Sequence, residues 1–371
     1  MKIANILASP GDWLSPEAGH HPVVISSRVR LARNLAKVPF PGWAKKSERI
    51  RILDEIKPEV DALVEMQNVF SEQLNELSAT EKQVLVERHL ISREHAAKGM
   101  GSGVVINGAQ TLSIMINEED HLRMQAITCG LELAKTYQMI DGVDTELEAH
   151  LDFAFDPDLG YLTACPTNVG TGMRASAMVH LPGLVLSEQI NQVVNSVNKI
   201  GLAVRGLYGE GTEAMGNLFQ VSNQTTLGEK EEQIIDRLNK VIDTLIQREN
   251  QARENLLETK ETMLMDQVGR AYGVLTHAYS VSSKEALNLL SILRLGIDLG
   301  FFPDGCRVLV NQLLMDTQPA HLQHLSKQKL APEERDHLRA DIVREKLKNF
   351  PNPPTNRRSG KKAVDPASES Q

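Results

Sequence analysis

Cysteine is scarce in this chain, and long apolar runs are missing from it. The three cysteines among 371 residues, Cys129, Cys165 and Cys306, are an odd number without metal-like spacing, which argues against a disulfide framework and a structural zinc site. No apolar run approaches the roughly 18 residues of a membrane helix, and the apolar stretch at the N-terminus is too short for a signal peptide. We therefore expect a cytoplasmic protein without membrane association or a protein-built metal site.

Positive charge is in the minority. The chain has 40 Lys and Arg residues against 48 Asp and Glu residues, which leaves a net charge of −8. A protein that binds nucleic acid usually presents a basic face, so this balance argues against direct nucleic-acid binding. The length exceeds that of one average domain and predicts two.

Short β-rich runs and helices alternate unevenly over the first part of the chain. The β-rich runs lie at 23–27, on both sides of Asn107 and Gly108, and at 151–155, 161–164, 202–207 and 217–222, with a helix at 187–199. Asn-Gly between two such runs is a strong hairpin signal. Hairpins with unequal spacing favour a largely antiparallel sheet over repeating βαβ units. The predicted fold class is therefore α+β.

The sequence changes character after Gly228. Apolar residues between Ile234 and Leu245 follow a helical repeat through a highly charged stretch, and the remainder looks all-helical. We place a domain boundary within 228–260 and allow one helix to cross it. The predicted division is 1–255 for the first domain, 256–348 for a helical domain and 349–371 for a disordered tail rich in Pro, Ser and charge.

Two arginines alternate in the segment SSRVRLARN. Residues two apart in a strand point to the same side, so Arg28 and Arg30 present two guanidinium groups on one face. Planar guanidinium groups bind phosphate oxygens bidentately, which suits the pair to a polyphosphate. The alternative is a solvated basic edge strand, because sheet edges favour charge.

The segment NEEDHLR, residues 117–123, follows a strand of alternating polarity. Apolar residues after it take a helical spacing, so we expect a helix that begins at Glu118 with Asn117 as its N-cap. On such a helix, Glu119 and Arg123 stand four residues apart and share a face. The alternative is that these charges only mark a helix start.

Two further segments combine glycines with an arginine. In CPTNVGTGMRAS, glycines permit a close backbone approach before Arg174, and Cys165 precedes a proline. It matches neither a Walker A loop nor a Rossmann fingerprint, and its alternative is a tight connection around a buried cysteine. In RGLYGEGTEAMGN, Arg205 lies at a strand end and Glu210 lies in a glycine-flanked loop. This loop either closes over a substrate or is simply flexible.

Together and in this order, the four segments resemble the ATP:guanido phosphotransferase family, which includes creatine and arginine kinases. The family pattern contains S-[ST]-R-[VI]-R, N-E-E-D-H-L-R, C-P-[ST]-N-x-G-T-G-x-R and R-G-x-x-G-E, which occur here at residues 26–30, 117–123, 165–174 and 205–210. The similarity spans about 20–230. The resemblance implies a guanido-kinase catalytic domain with helices flanking the sheet, and ATP with Mg²⁺ bound through the ATP phosphates.

The resemblance also implies roles for individual residues. The implied nucleotide-binding residues are Ser26, Ser27, Arg28, Val29, Arg30, His89, Arg123, Arg174, Ala175, Ser176, Ala177, Met178, Arg205 and Gly206. Glu119 and Glu210 would hold the acceptor guanidinium and take its proton, with Cys165 beside it. The phosphagen kinases usually carry a histidine at the position of Met178, near the adenine, so the chain departs from the pattern there.

Two departures point to a branch of the family. Phosphagen kinases have a helical substrate-closing domain before the SSRVR-like segment, whereas here that segment begins at Ser26. The chain carries instead a C-terminal helical extension like that of protein arginine kinases, with an R-D-x-x-R-A motif at 335–340 that resembles a phosphoarginine receptor. Arg335 and Arg339 would clamp a phosphoryl group from one helix face, with Asp336 on its guanidinium. The alternative is a salt-bridged surface helix.

The resemblance therefore predicts transfer of the γ-phosphoryl group of ATP to arginine side chains of proteins, which would mark those proteins for degradation. It further implies a homodimer through the helical domain, and as partners a zinc-finger activator protein, a stress-gene repressor and a Clp-type unfoldase. Two alternatives stay open. One is a kinase for free arginine or another small guanidino compound, and the other is a non-catalytic phosphoarginine-binding adaptor.

Overall fold

The computed structural model describes residues 3–15, 19–66, 70–206, 214–326 and 328–354. The helices in these ranges are α1 (Ile3–Ala8), α2 (Lys46–Ala62), α3 (Ala79–Glu87), α4 (Arg93–Ala96), α5 (Leu133–Glu148), α6 (Pro182–Leu186), α7 (Ile190–Lys199), α8 (Glu231–His277), α9 (Ser283–Asp298), α10 (Cys306–Asp316), α11 (Pro319–Leu325) and α12 (Pro332–Lys346). The strands are β1 (Val24–Arg33), β2 (Phe70–Gln73), β3 (Gly103–Ile106), β4 (Leu112–Ile116), β5 (Leu122–Cys129), β6 (Phe155–Asp156), β7 (Gly160–Tyr161), β8 (Met173–His180), β9 (Leu202–Gly206) and β10 (Leu218–Asn223). None of these helices has the length and apolarity needed to cross a bilayer.

Eight strands form one sheet in the order β2-β3-β4-β5-β1-β8-β10-β9. Every neighbouring pair is antiparallel, and the α+β class predicted from the sequence is confirmed. The ten-residue strand β1 lies inside the sheet, with β5 on one side and β8 on the other. The alternative of a basic edge strand for Arg28 and Arg30 is therefore wrong.

One face of this sheet is the core face. Val29 of β1 and Ala175 of β8 are fully buried there, in one hydrophobic cluster with Ile140 of α5 and Ile242 of α8. Side chains alternate between the two faces of a strand. Burying every second residue in this way leaves the residues between them, many of which are polar, on the opposite face.

The helix expected from Glu118 is not formed. Residues 122–129 are β5, which pairs with β1 and β4, and the next helix, α5, begins at Leu133. Leu122 and Met124 of β5 are both fully buried on the core face. Their spacing of two residues is that of a strand. Asn117 is not an N-cap either. Its φ of 57° is left-handed, a conformation that Asn adopts more readily than most residues.

The C-terminal third is helical, and α8 spans 47 residues across the predicted domain boundary. Within α8 the backbone departs from helical geometry at Lys260, where φ is −135° and ψ is 32°. Residues after this point pack into a second cluster with α9, α10 and α12, which includes Leu264, Leu290 and Val343. One helix therefore connects the core beneath the sheet to the core of the helical region.

Candidate active site

Five arginines share the polar face of the sheet. Arg30 lies opposite Arg174 in the register of β1 and β8. On the other side of β1, Arg123 of β5 lies opposite Ala32, and Arg28 and Arg30 precede this alanine by four and two residues. Arg205 of β9 joins them through Gln220, which faces both Arg205 and Met178. The strands thus bring together the arginines from four separate sequence segments: Arg28, Arg30, Arg123, Arg174 and Arg205.

The arginines are close enough to affect one another. Burial, and then the charges of Arg28, Arg123 and Arg174, lower the pKa of Arg30 well below its ordinary value. Burial, Arg205 and Arg123 lower the pKa of Arg174 as well. The Nε atom of Arg30 is buried and has no hydrogen-bond partner within the described residues. Concentrated positive charge with an unsatisfied buried donor fits a polyanion such as the phosphates of ATP.

A narrow recess beside the arginines is lined by further residues for which the family resemblance implies nucleotide binding. It is lined by Ser26, Arg28, His89, Ser176 and Met178, together with Ile127 and Gln220. Arg28 donates a hydrogen bond from Nη2 to Oε1 of Gln220 at 2.9 Å. Burial and the charge of Arg28 lower the pKa of His89 to about 3, so this histidine is neutral at physiological pH.

Four other residues of the implied nucleotide-binding set have side chains on the core face of the sheet, opposite the arginines. Val29, Ala175 and Ala177 are buried in the core, and Ser27 is fully buried on the same face. The hydroxyl of Ser27 donates to the carbonyl of Gly130 at 2.9 Å and accepts from the backbone N–H of the residue at 132. The expectation that these side chains contact the nucleotide is corrected, because strand alternation directs them to the core face, opposite the arginines. Gly206, the last residue of β9, carries no side chain to assign.

The acidic turn between β4 and β5 lies at one edge of the arginine cluster. Within it, Glu118 is fully buried and accepts from Nη1 of Arg123 at 2.6 Å and from Ser92. Burial alone would raise the pKa of Glu118, but the charge and hydrogen bond of Arg123 and the hydrogen bond of Ser92 hold it below its ordinary value. Glu118 therefore orients one of the five arginines. Its neighbour Glu119 is exposed.

Asp120 connects this turn to the segment that carries Cys165. Its Oδ1 accepts from Nδ2 of Asn34 at 2.6 Å and from the backbone N–H of Ala164 at 2.7 Å. Asn34 also accepts, through Oδ1, from the backbone N–H of His121 at 2.9 Å. These contacts place the residue before Cys165 against the residue after Glu119. The two candidate catalytic groups are thus held in one neighbourhood by a buried aspartate.

Glu119 lines a cleft of about 780 Å³. The cleft is lined by Phe40, Gly42, Trp43, Glu94, Lys98, Glu118, Glu119, Arg123, Thr163 and Ala164. Partial burial and the charge of Asp120 raise the pKa of Glu119 above its ordinary value. A carboxylate with a raised pKa is a better proton acceptor, so the cleft combines a candidate base with a position beside the arginine face.

Cys165 is half-exposed, and its Sγ lies 3.1 Å from Oγ1 of Thr167. The alternative of a buried cysteine in a tight connection is therefore wrong. The Sγ atom also lies close enough to Arg174 to interact electrostatically with its guanidinium. Glu210, the second predicted catalytic carboxylate, lies outside the described residues.

The C-terminal motif lies on α12, where its two arginines have different surroundings. Arg339 is 1% exposed and donates to the carbonyls of Thr317 and Val281, both at 2.8 Å, and to Asp336. Arg335 is half-buried and lines a separate cavity of about 600 Å³ between α3 and α11. The expectation that Arg339 clamps a phosphoryl group together with Arg335 is corrected, because its guanidinium is buried and already donates to Thr317, Val281 and Asp336.

Comparison of the whole sequence with families and known proteins gives consistent matches. The family model of the ATP:guanido phosphotransferase C-terminal catalytic domain matches residues 51–252, and that of the protein-arginine kinase McsB C-terminal domain matches residues 261–358. The protein-arginine kinase of Halothermothrix orenii is 45% identical over 337 residues, covering 90% of this chain and 96% of that protein. The protein-arginine kinase of Moorella thermoacetica is 48% identical over 338 residues, covering 90% and 97%.

Solved structures give the same fold. The crystal structure of lombricine kinase superposes with a TM-score of 0.55 at 24% identity, covering 64% of this chain and 70% of that one. The duplicated taurocyamine kinase from Schistosoma mansoni, in its substrate-free form, gives a TM-score of 0.57 at 26% identity and covers 71% of this chain and 39% of that one.

Proposed function

The chain belongs to the ATP:guanido phosphotransferase family, among its protein-arginine kinases, and we propose that its arginine-bearing sheet face and acidic turn transfer the γ-phosphoryl group of ATP to arginine side chains of proteins. The observation that carries this proposal is the position of Glu119, in an open cleft whose wall includes Arg123 of the five-arginine face. The proposed phosphate-binding groups and the proposed base thus lie next to each other, at the turn between β4 and β5.

The arginine face is proposed to hold the nucleotide. Arg28, Arg30, Arg123, Arg174 and Arg205 would bind the phosphates, and Ser26, His89, Ser176 and Met178 would line the rest of the nucleotide site. The transition state of phosphoryl transfer is loose and anionic, so positioning and charge neutralisation supply most of the catalysis. Magnesium, which the family uses with ATP, would bind through the ATP phosphates and water.

The acceptor guanidinium must lose a proton before it can attack the phosphoryl group. A guanidinium group has an unperturbed pKa of about 12.5 or above and no free lone pair until it loses a proton. Glu119 is proposed to orient the acceptor and take this proton, together with Glu210, and its raised pKa suits the task. Cys165 is proposed to lie beside the acceptor, held there through the contact of Ala164 with Asp120.

Further roles are part of the same proposal. Arg335, with Asp336 next to it on α12, is proposed to bind phosphoarginine, and the cavity that Arg335 lines supports this. The buried Arg339 is proposed to hold α12 in place through Thr317 and Val281. We propose a homodimer through the helical region, and a zinc-finger activator, a stress-gene repressor and a Clp-type unfoldase as partners that link arginine phosphorylation to degradation. The three free cysteines are in keeping with a cytoplasmic location.

The proposal is tested by identifying the product. Purified protein is incubated with Mg-ATP and casein, and in parallel with free arginine, and phosphorylated sites are mapped by mass spectrometry under conditions that preserve the N–P bond. We expect phosphoarginine in casein and much slower phosphorylation of free arginine. Preference for free arginine would support a small-molecule kinase instead, and no phosphorylation of either would support the adaptor alternative.

A further inference from the structure

Trp43 is a large apolar side chain that the fold leaves in solvent. It is 89% exposed, more than any other large hydrophobic residue in the described part of the chain, and it stands at the wall of the cleft that contains Glu119. The second tryptophan, Trp13, is 4% exposed and packs in a small apolar cluster. Isolated exposed hydrophobic residues are common, so the position of Trp43 is informative only through what surrounds it.

The backbone beneath Trp43 is fixed by a tight turn. The N–H groups of Trp43 and Ala44 both donate to the carbonyl of Phe40, at 2.9 and 3.0 Å. The ring of Phe40 lies edge-on to His121, with 6.1 Å between the ring centroids. The indole is therefore carried by an ordered segment whose conformation does not depend on burying the indole itself.

His121 ties this segment to the catalytic turn. Its Nδ1 accepts from the backbone N–H of Leu35 at 3.0 Å, so Nε2 carries the proton and donates to the carbonyl of Pro39 at 3.1 Å. His121 is fully buried and follows Glu119 by two residues. One side chain thus links the segment that carries the exposed indole to the turn that carries the proposed base.

The charge of the cleft suits a cationic side chain. Its carboxylates are Glu94, Glu118 and Glu119, and its cationic residues are Lys98 and Arg123. Glu118 and Arg123 neutralise each other in an ion pair at 2.6 Å. Two carboxylates then remain against one lysine, which favours entry of a guanidinium group.

We propose that Trp43 is a specificity-determining residue that binds the polypeptide on either side of the acceptor arginine. This inference rests on the proposed function. The guanidinium enters the cleft towards Glu119, and the flat indole packs against the backbone and the apolar part of the neighbouring side chains. A tryptophan face offers a large, rigid contact area of this kind. Free arginine has no flanking residues and cannot make this contact, so Trp43 favours arginine within a polypeptide.

The first test is a binding experiment that needs no turnover. An arginine-containing peptide is titrated into the protein without ATP while tryptophan emission is recorded. Because Trp13 is already buried, we expect a shift of the emission to shorter wavelength that comes from Trp43 and is missing in Trp43→Phe. An unchanged spectrum at peptide concentrations that saturate turnover would overturn the proposal.

The second test separates recognition from chemistry. For Trp43→Ala we expect the KM for the peptide to rise roughly 5- to 20-fold, the usual effect of losing an aromatic contact at an interface. The kcat and the KM for ATP should stay within about twofold of wild type, because the proposed contact is with the flanking polypeptide and not with ATP or the reacting groups. Removal of an exposed side chain should also change stability little. Trp43→Phe should recover most of the affinity. Tyr279→Ala removes another exposed aromatic, 80% exposed on the helical region, and should behave as wild type.

The outcomes distinguish the two proposals. A peptide KM that Trp43→Ala leaves unchanged, or an equal loss in the KM for ATP, would overturn the role of Trp43 while arginine phosphorylation by the wild-type protein still supports the proposed function. Failure of the wild-type protein to phosphorylate any peptide arginine would overturn the function and this inference together.

Discussion

Arg30 of β1 lies directly opposite Arg174 of β8 in the centre of the sheet. Like charges in cross-strand positions destabilise a sheet, and both groups have lowered pKa values because of burial and neighbouring arginines. A fold that keeps this pair in its middle strands sacrifices stability at that point. The pairing is understandable if a polyphosphate neutralises it in the working enzyme.

The first prediction follows from this pair. Arg174→Met should leave the free energy of unfolding of the nucleotide-free protein unchanged or raise it by about 0.5 kcal/mol, because a cross-strand repulsion is removed. The stabilisation that wild-type protein gains from saturating Mg-ATP, about 2.7 kcal/mol at a hundredfold excess over Kd, should largely disappear. Denaturant unfolding with and without ATP measures both. A variant that unfolds more easily yet keeps the full ATP effect would contradict the phosphate role.

A second prediction concerns the geometry of the phosphate-binding groups. Arg28→Lys keeps the charge but loses the planar fork that donates to Gln220. Affinity for ATP and turnover should both fall, whereas a lysine would suffice if only net charge mattered. Equilibrium binding of ATP and steady-state kinetics on the same preparation decide between these. Wild-type values for both would remove Arg28 from the phosphate-binding set.

The third prediction concerns the pH dependence of catalysis. The nearby charge of Asp120 contributes to the raised pKa of Glu119. Asp120→Asn keeps an oxygen that accepts from Asn34 and Ala164 but removes that charge. The pKa of Glu119 should fall, and because the base must be deprotonated, the acid limb of the kcat/KM profile should move to lower pH. An acid limb that stays in place or moves to higher pH would show that another group controls it.

The fourth prediction concerns acid stability. Burial lowers the pKa of His121 from 6.5 to about 4, so between these values the unfolded chain binds a proton that the folded chain does not. Below pH 6.5 this histidine should reduce the free energy of unfolding by about 1.4 kcal/mol per pH unit until about pH 4. His121→Gln should show a correspondingly shallower loss. Parallel pH profiles of the two proteins would contradict the buried neutral state.

A fifth prediction separates Arg335 from Arg339, whose surroundings in the structure differ. Arg339→Ala should destabilise the protein by about 3 kcal/mol, since two buried carbonyls and Asp336 lose their donor. Arg335→Ala should leave stability within about 1 kcal/mol and remove the phosphoarginine site on α12, while product binding at the catalytic site remains. Calorimetric titration into Arg335→Ala decides this, and binding equal to wild type would remove the receptor role.

The candidate site residues are easier to predict from this sequence than the strands that present them. The five arginines lie in short, distinctive segments, and the family resemblance implies their roles. Residues 122–129 were predicted as helix because their apolar residues also satisfied a helical spacing, and the alternation that places Leu122 and Met124 in the core was outweighed. Strand β8 was missed because its centre consists of Ala and Ser, and pairing with β1 and β10 overrides their weak strand propensity.

Contacts between distant segments were beyond single-sequence reasoning. Asp120 reaches both Asn34 and Ala164, and Gln220 reaches Arg28 across 192 positions. The alternation of Gln220 and Ser222 in β10 was a usable signal for a polar face, but nothing local indicated which face held the arginines. Trp43 has no pattern around it at all. Its position beside Glu119 is a property of the fold.

The central claim is that Glu119 acts on the acceptor arginine while the arginine face holds ATP. The most direct measurement compares wild type with Glu119→Gln, using the rate of phosphoarginine formation in a protein substrate and the Kd for ATP. The account predicts a loss of roughly 100-fold to 10,000-fold in rate, as expected for a lost general base, with the Kd for ATP nearly unchanged. Near-normal turnover, or a loss that appears mainly in ATP binding, would contradict it.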